Sequence, residues 1–185
     1  MMLGFRTSIC AALSTGLMIQ VATAFAAPPI VPAAVPNEAN AILEPTLSNS
    51  VRGTVSFKKV EEGLQVQAVV SGLTPGSHGF HVHERGDCSA SDAMTAGEHF
   101  NPRNRDHGGP DDKERHAGDF GNLEADERGH ASLTFVDSHI SLEGKESVLG
   151  RSVVVDESAD DLHTQPTGNT GSRQACGVIT AVKDE

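Results

Sequence analysis

From Val51 onward, apolar side chains recur at every second position. Val51, Gly53, Val55 and Phe57 share one face of a first run, and Leu64, Val66, Ala68 and Val70 share one face of the next. Successive Cβ atoms of a strand point to opposite sides of the pleat, so this period of two predicts half-buried β-structure. Glu61-Glu62-Gly63 reads as the turn between the runs and Leu73-Thr74-Pro75-Gly76 as the next turn, which makes the first half a series of hairpins. Further strands are predicted over Ala131–Val136, Val148–Asp156 and Cys176–Val182. Trp and Tyr are absent, leaving seven Phe and the β-branched aliphatics to build the core. The pattern predicts an all-β domain.

The phase of one strand carries chemistry with it. In His78-Gly79-Phe80-His81-Val82-His83, Phe80 and Val82 must face the core, which sends His81 and His83 together to the opposite face. Two imidazoles on one strand face can grip one ion. His78 shares the Phe80 face and reads as a satisfied structural residue; His130 and His139 read as exposed strand or loop positions. Between Glu84 and His116 the strand pattern disappears, and the composition turns to Gly, Asp, Asn and Pro. A loop of that length stays ordered only if something ties it down, and long ordered loops are normally functional.

At the amino end, residues 1–26 carry one charge, Arg6, an apolar run from Ile9 to Phe25 and an Ala24-Phe25-Ala26 end. These are the parts of a secretory signal peptide, too short and too soon followed by prolines for a membrane anchor. Residues 27–38, with Pro28, Pro29, Pro32 and Pro36, read as a Pro/Ala-rich flexible leader, and residues 39–185 as a single domain. Export would remove Cys10 and leave Cys88 and Cys176, an even pair in a compartment where disulfides persist. They are predicted to bridge; the other reading is two buried thiols. Loss of Arg6 takes the net charge from −11 to −12. A chain this acidic without a basic run has neither nucleic acid nor anionic lipid as its partner, and the mature form is expected to have no integral span. A local cation can still draw in a small anion, and Arg173 is the candidate.

Metal ligation is the reading that unites the histidines. His81, His83, His99, His107 and His116 all fall between residues 81 and 119, and Asp119 closes the series. Three imidazoles and one carboxylate make a closed tetrahedral zinc set, and zinc at His99, His107, His116 and Asp119 would order the long loop. Because the ligands exceed what one ion needs, two adjacent metals are expected, the second redox-active.

The motifs Gly79-Phe80-His81-Val82-His83-Glu84, Gly97-x-His99-Phe100-Asn101-Pro102, His107-Gly108-Gly109-Pro110, Arg115-His116-x-Gly118-Asp119 and Gly171-Ser172-Arg173-x-Ala175-Cys176-Gly177 resemble those of the copper/zinc superoxide dismutases, over about Ala41 to Val182. The resemblance implies an eight-stranded antiparallel Greek-key β-barrel or sandwich with long metal-binding and electrostatic loops. It implies copper at His81, His83 and His99, with His99 the bridging imidazolate, and zinc at His99, His107, His116 and Asp119. Asp160 corresponds to the aspartate that links the two metal sites through the outer nitrogens of their histidines. Arg173 corresponds to the arginine that guides the anion and, with His99, is a catalytic residue. The substrate implied is superoxide, the products dioxygen and hydrogen peroxide, and the location periplasmic or extracellular; a homodimer is one assembly open to it.

One position departs from the family. The strand Ser152-Val153-Val154-Val155-Asp156 ends in a carboxylate where the family has its fourth copper-ligand histidine. Asp156 is the weak member of the copper set, because a carboxylate is a poor partner for soft Cu(I). Reduced activity is therefore expected, and the alternative is a non-catalytic, zinc-stabilised homologue that binds or delivers copper. His163 is the nearest spare histidine, but nothing in its neighbourhood aims it. The loop from Leu162 to Arg173 is shorter than in the animal enzymes, so steering is expected to rest on Arg173 and the metals.

Overall fold

A computed structural model of the chain describes residues 35–46 and 48–183. The signal peptide and most of the leader lie outside the described residues. The strands run β1 (Glu38–Pro45), β2 (Arg52–Val60), β3 (Gly63–Ser71), β4 (Gly76–His83), β5 (Asp119–Ala125), β6 (His130–Asp137), β7 (Ser152–Asp156), β8 (Arg173–Val178) and the two-residue β9 (Thr180–Ala181). Eight of them form one antiparallel path in the order β5-β4-β7-β8-β1-β2-β3-β6, and β9 pairs with β1. Strand β1 joins the halves, since residues 38–43 pair with β2 while Glu44 and Pro45 pair with β8. The non-consecutive neighbours β3/β6, β4/β7 and β1/β8 are Greek-key crossovers, and the result is a nearly closed barrel.

The predicted hairpin forms: β2 and β3 pair from Arg52↔Ser71 to Val60↔Gly63, with the turn narrowed to Glu61-Glu62 because Gly63 already pairs in β3. Val55, Phe57, Leu64, Val66, Ala68 and Val70 all point into the core, which also holds Phe80, Val82, Val153 and Val155. Two strands lay hidden in the sequence. Strand β1 buries only Ala39, Ala41 and Leu43, small residues adjoining the Pro/Ala leader that mask its alternation. Strand β5 buries Asp119, Phe120, Gly121 and Leu123, and Gly121 at φ 77° interrupts the period of two. Two predicted strands have other bounds than expected: β7 starts only at Ser152, and the last strand starts earlier, at Arg173, and is broken in two. Gly150, at φ 72°, turns the chain before β7, and Ile179 separates β8 from β9.

Register builds the platform for the site. In the β4/β7 pair, His81 lies opposite Val154 and His83 opposite Ser152, while Phe80 faces Val155 on the core side. His81, His83, Val154 and Asp156 therefore share the outward face. Loops cover it so completely that His81 is 0% and His83 2% exposed.

Candidate metal centre

The loop between β4 and β5 folds back over the outward face and is stitched to it by its main chain. Val82 N donates to Gly118 O (2.9 Å), Phe100 N to Val82 O (2.8 Å) and Gly118 N to Phe100 O (3.0 Å). A Cβ on Gly118 would lie 2.2 Å from Val82 O, so only glycine permits this three-way approach. Cys88 and Cys176 form a disulfide that ties the loop to β8. Farther along, the Arg115 guanidinium donates to Pro110 O, His116 O and Asp137 Oδ2, the last at 2.6 Å, which fastens the loop to the end of β6.

These attachments bring the predicted ligands into two buried sets that share a member. Ligand atoms of His99, His107, His116 and Asp119 lie within 4.8 Å of one another, and so do those of His81, His83 and His99. The His81 and His99 rings stack with centroids 4.0 Å apart. Asp119 organises the first set: Oδ1 lies 2.8 Å from His99 Nδ1 and 3.1 Å from His116 Nδ1, and Oδ2 accepts from the main-chain N–H groups of His116 and Gly108. Asp156 adjoins the second set, its Oδ2 3.0 Å from His81 Nδ1. Asp160 spans both, with Oδ2 2.8 Å from His81 Nε2 and Oδ1 2.9 Å from His107 Nε2. His163 is exposed and bonds only within its own turn, as expected. His78 is buried on the Phe80 face, its ring nitrogens bonded to the carbonyls of Asp156 and Thr74.

Two unsatisfied atoms test whether this pocket fits metal. His83 donates from Nδ1 to Gly97 O (2.9 Å), which fixes the tautomer and leaves the Nε2 lone pair free. That Nε2 is buried with no hydrogen-bond partner, and so is His107 Nδ1, which stands 3.1 Å from Asp119 Oδ1 but outside hydrogen-bond geometry. A buried, unpaired ring nitrogen is costly in a protein interior and is what a metal ligand looks like before it meets its ion. There is one such atom in each set. Three imidazoles with a carboxylate suit zinc, and imidazole-rich sites suit copper.

The electrostatics of the metal-free chain agree. Burial, followed by the charge on His81, lowers His99 to about 3, and burial, followed by His99, holds His83 well below the ordinary histidine range. Burial opposes charge on His81, but the Asp156 and Asp160 carboxylates overcome it and raise the ring to about 9. His107 is likewise raised to about 9, where Asp119 and Asp160 outweigh burial. Burial works against ionised Asp119 and Asp160, yet their histidine partners hold both well below the usual carboxylate range.

A cleft opens onto this centre, lined by His83, His99, Asp156, Thr170 and Arg173. Arg173 donates to Ala93 O (2.7 Å) and Gly97 O (2.6 Å), so the disulfide-pinned loop sets the guanidinium at the mouth. Three residues in this architecture carried no assigned role in the sequence reading: Arg115, Asn122 and Gln165. Arg115 stood inside a recognised motif; Asn122 bonds the main chain of Asp160 and Gln165 that of His107, contacts across the fold for which sequence spacing gives no signal.

A Greek-key barrel carrying two buried ligand sets joined by one histidine defines a two-metal protein. Comparison with known proteins gives the family. The profile described as "Copper/zinc superoxide dismutase (SODC)" matches residues 51–179. Superoxide dismutase [Cu-Zn] A of Xenopus laevis is 46% identical over 139 residues, covering 71% of this chain and 91% of that protein. The extracellular superoxide dismutase [Cu-Zn] of Caenorhabditis elegans is 44% identical over 138 residues, covering 71% of this chain and 62% of that protein. The crystal structure of the clock protein EA4 superposes with a TM-score of 0.74 at 43% identity, covering 80% of this chain and 97% of that one. The chain belongs to the copper/zinc superoxide dismutase family, whose cofactors are copper and zinc.

Proposed function

We propose that this protein is a superoxide dismutase whose copper is held by His81, His83 and His99 with Asp156 beside them, and whose zinc is held by His99, His107, His116 and Asp119. The observation that carries the reading is the pair of buried ligand sets meeting at His99, with an unpaired ring nitrogen in each. When bound, copper supplies the one-electron couple that oxidises one superoxide to dioxygen and reduces a second to hydrogen peroxide, while zinc, which has no redox chemistry, closes the loop. The chain's own groups do the rest. Arg173, fixed at the cleft mouth by two carbonyls, attracts and orients the anion against the acidic background of the protein. His99 lines the same cleft and belongs to both sets, which makes its ring the group placed to hold a proton and hand it to the reduced product. Asp160 holds the outer nitrogens of His81 and His107, fixing both rings.

Asp156 sets the character of the copper half-site. Three imidazoles and a carboxylate form a harder set than four imidazoles, favouring Cu(II) over Cu(I) and lowering the reduction potential. The test is stopped-flow superoxide loss at measured copper content, for the parent and for Asp156→His. Catalysis by the fully loaded parent, increased by the substitution, is the expected result; a fully loaded parent that does not accelerate superoxide loss would refute the assignment.

Export is part of the proposal, with the periplasm or the extracellular medium as destination. It rests on the signal-peptide character of residues 1–26 and on the formed disulfide, and a similar protein is named as extracellular. No helix among the described residues is long and apolar enough to cross a membrane.

A further inference from the structure

The loop between β7 and β8, residues 157–172, arches over the zinc half-site, and its path is set by contacts of its own. Asp161 Oδ1 accepts from the N–H groups of His163 and Thr164, Asp161 N donates to Gly168 O, and Gly168 N donates to Thr164 O. This closed turn rests directly on the metal centre: a Cβ on Gly168, whose φ is 71°, would lie 1.8 Å from Asp160 Oδ1 and 2.8 Å from His107 Nε2. At its tip stands Gln165. The side-chain amide meets the main chain of His107 at both ends, with His107 N donating to Oε1 (2.8 Å) and Nε2 donating to His107 O (2.9 Å).

An amide that matches the donor and the acceptor of one residue fixes that residue's main chain in position and rotation, as a strand partner would. Asn122 of β5 makes the same two-point contact with Asp160, accepting from Asp160 N (2.7 Å) and donating to Asp160 O (2.9 Å). His107 and Asp160 are themselves joined ring to carboxylate at 2.9 Å. One amide therefore holds each end of that bond. The two clamps reach His107 and Asp160 from different elements, and His107 Nδ1 is left aimed into the zinc set without a partner.

We propose that Gln165 is a positioning residue of the zinc half-site: by clamping the main chain of His107 it couples the short β7–β8 loop to zinc retention. The inference deepens the zinc assignment above and rests on it. Gln165 is exposed and no member of the core cluster, so its removal takes no side chain from the barrel's packing, whereas outer contacts of metal ligands govern affinity by roughly 10- to 100-fold. Because the clamp acts on main chain rather than on the ring, the low end of that range applies. The copper set meets Asp160 through His81 rather than His107, so copper retention should change less.

The test compares the full-length metal-loaded protein with Gln165→Ala and Gln165→Glu; the glutamate keeps the acceptor for His107 N and loses the donor to His107 O. Three readouts are needed: the rate of zinc release to a chelator, the visible d–d spectrum of protein with Co(II) in the zinc site, and urea unfolding of the metal-free chain. Expected are about tenfold faster zinc release for Gln165→Ala, a changed cobalt spectrum, an intermediate Gln165→Glu and an unchanged urea midpoint. Zinc release and cobalt spectra equal to the parent's would overturn the inference while leaving the zinc assignment standing. Faster release with an unaltered cobalt spectrum and a lowered urea midpoint would overturn it too, as a purely structural effect. A parent that takes up no zinc would sink both.

Discussion

Replacing Arg115 by Met probes how the metal-binding loop is fastened. Arg115 and Asp137 form an ion pair at 2.6 Å, and both side chains are only 2% exposed. Removing the guanidinium strands the Asp137 carboxylate in the interior with the main-chain N–H of His139 as its one close donor, and it deprives the carbonyls of Pro110 and His116 of theirs. Breaking one side of a buried pair costs about 3–5 kcal/mol, a large share of the roughly 5–15 kcal/mol that holds a domain together. For a domain of this size each kcal/mol is worth about 2–4 °C, so the melting temperature should fall by roughly 6–20 °C. Urea unfolding of the metal-free, disulfide-intact protein measures the loss. The double variant Arg115→Met/Asp137→Leu should recover the part due to the stranded carboxylate and retain roughly 1–3 kcal/mol for the two carbonyls and the His139 N–H, which also loses its acceptor. A single variant costing less than about 1 kcal/mol, or a double variant no better than the single, would refute the claim that this pair anchors the loop.

Other consequences follow from the same geometry. In metal-free protein, His81 and His107, raised to about 9, add stability that is complete below about 6.5 and lost as pH rises through 9; His83 and His99, held below 6.5, lose stability as pH falls beneath it. Thermal melting in chelator should therefore be most favourable near pH 6.5, and a profile flat from 6.5 to 9 would contradict the ring assignments. Cys88→Ser opens a loop of 88 residues and should cost up to about 4–5 kcal/mol in urea unfolding; because the carbonyls holding Arg173 sit on that loop, the rate at low ionic strength should fall as well. An unchanged rate would show that Arg173 is held by other means. Gly118→Ala drives a Cβ into a main-chain oxygen that cannot yield, and should cost about 1–3 kcal/mol with looser zinc; wild-type zinc release would disprove the tight approach.

The histidine pair on β4 was legible because strand phase is local: once Phe80 and Val82 point inward, His81 and His83 must point out. Asp156 was legible only through the family resemblance, as the residue standing where the family has its fourth copper-ligand histidine; the structure puts it on the outward face, since Val153 and Val155 face the core. The disulfide could be anticipated from the count of cysteines left after export. Strands β1 and β5 could not be, since alanines and a positive-φ glycine blur the alternation on which the reading depends. Least legible were the supports of the ligands. Gln165 lies 58 residues from His107 and Asn122 lies 38 from Asp160, and an amide in a polar turn, or one on a strand, looks like any other polar residue until the fold brings its partner to it. Ligands thus announce themselves by residue type and spacing, whereas the groups that aim them depend on tertiary contact.

The central claim is that two different metals share His99 within one buried centre. Copper and zinc per chain, measured together by plasma mass spectrometry on protein reconstituted with both ions and then dialysed, test it most directly when zinc is also titrated into copper-only protein under a visible spectrometer. The account predicts about one of each metal per chain and a copper band that shifts as zinc fills its set, because the shared ring feels both. Stoichiometric binding of neither metal, or a copper band indifferent to zinc, would contradict it.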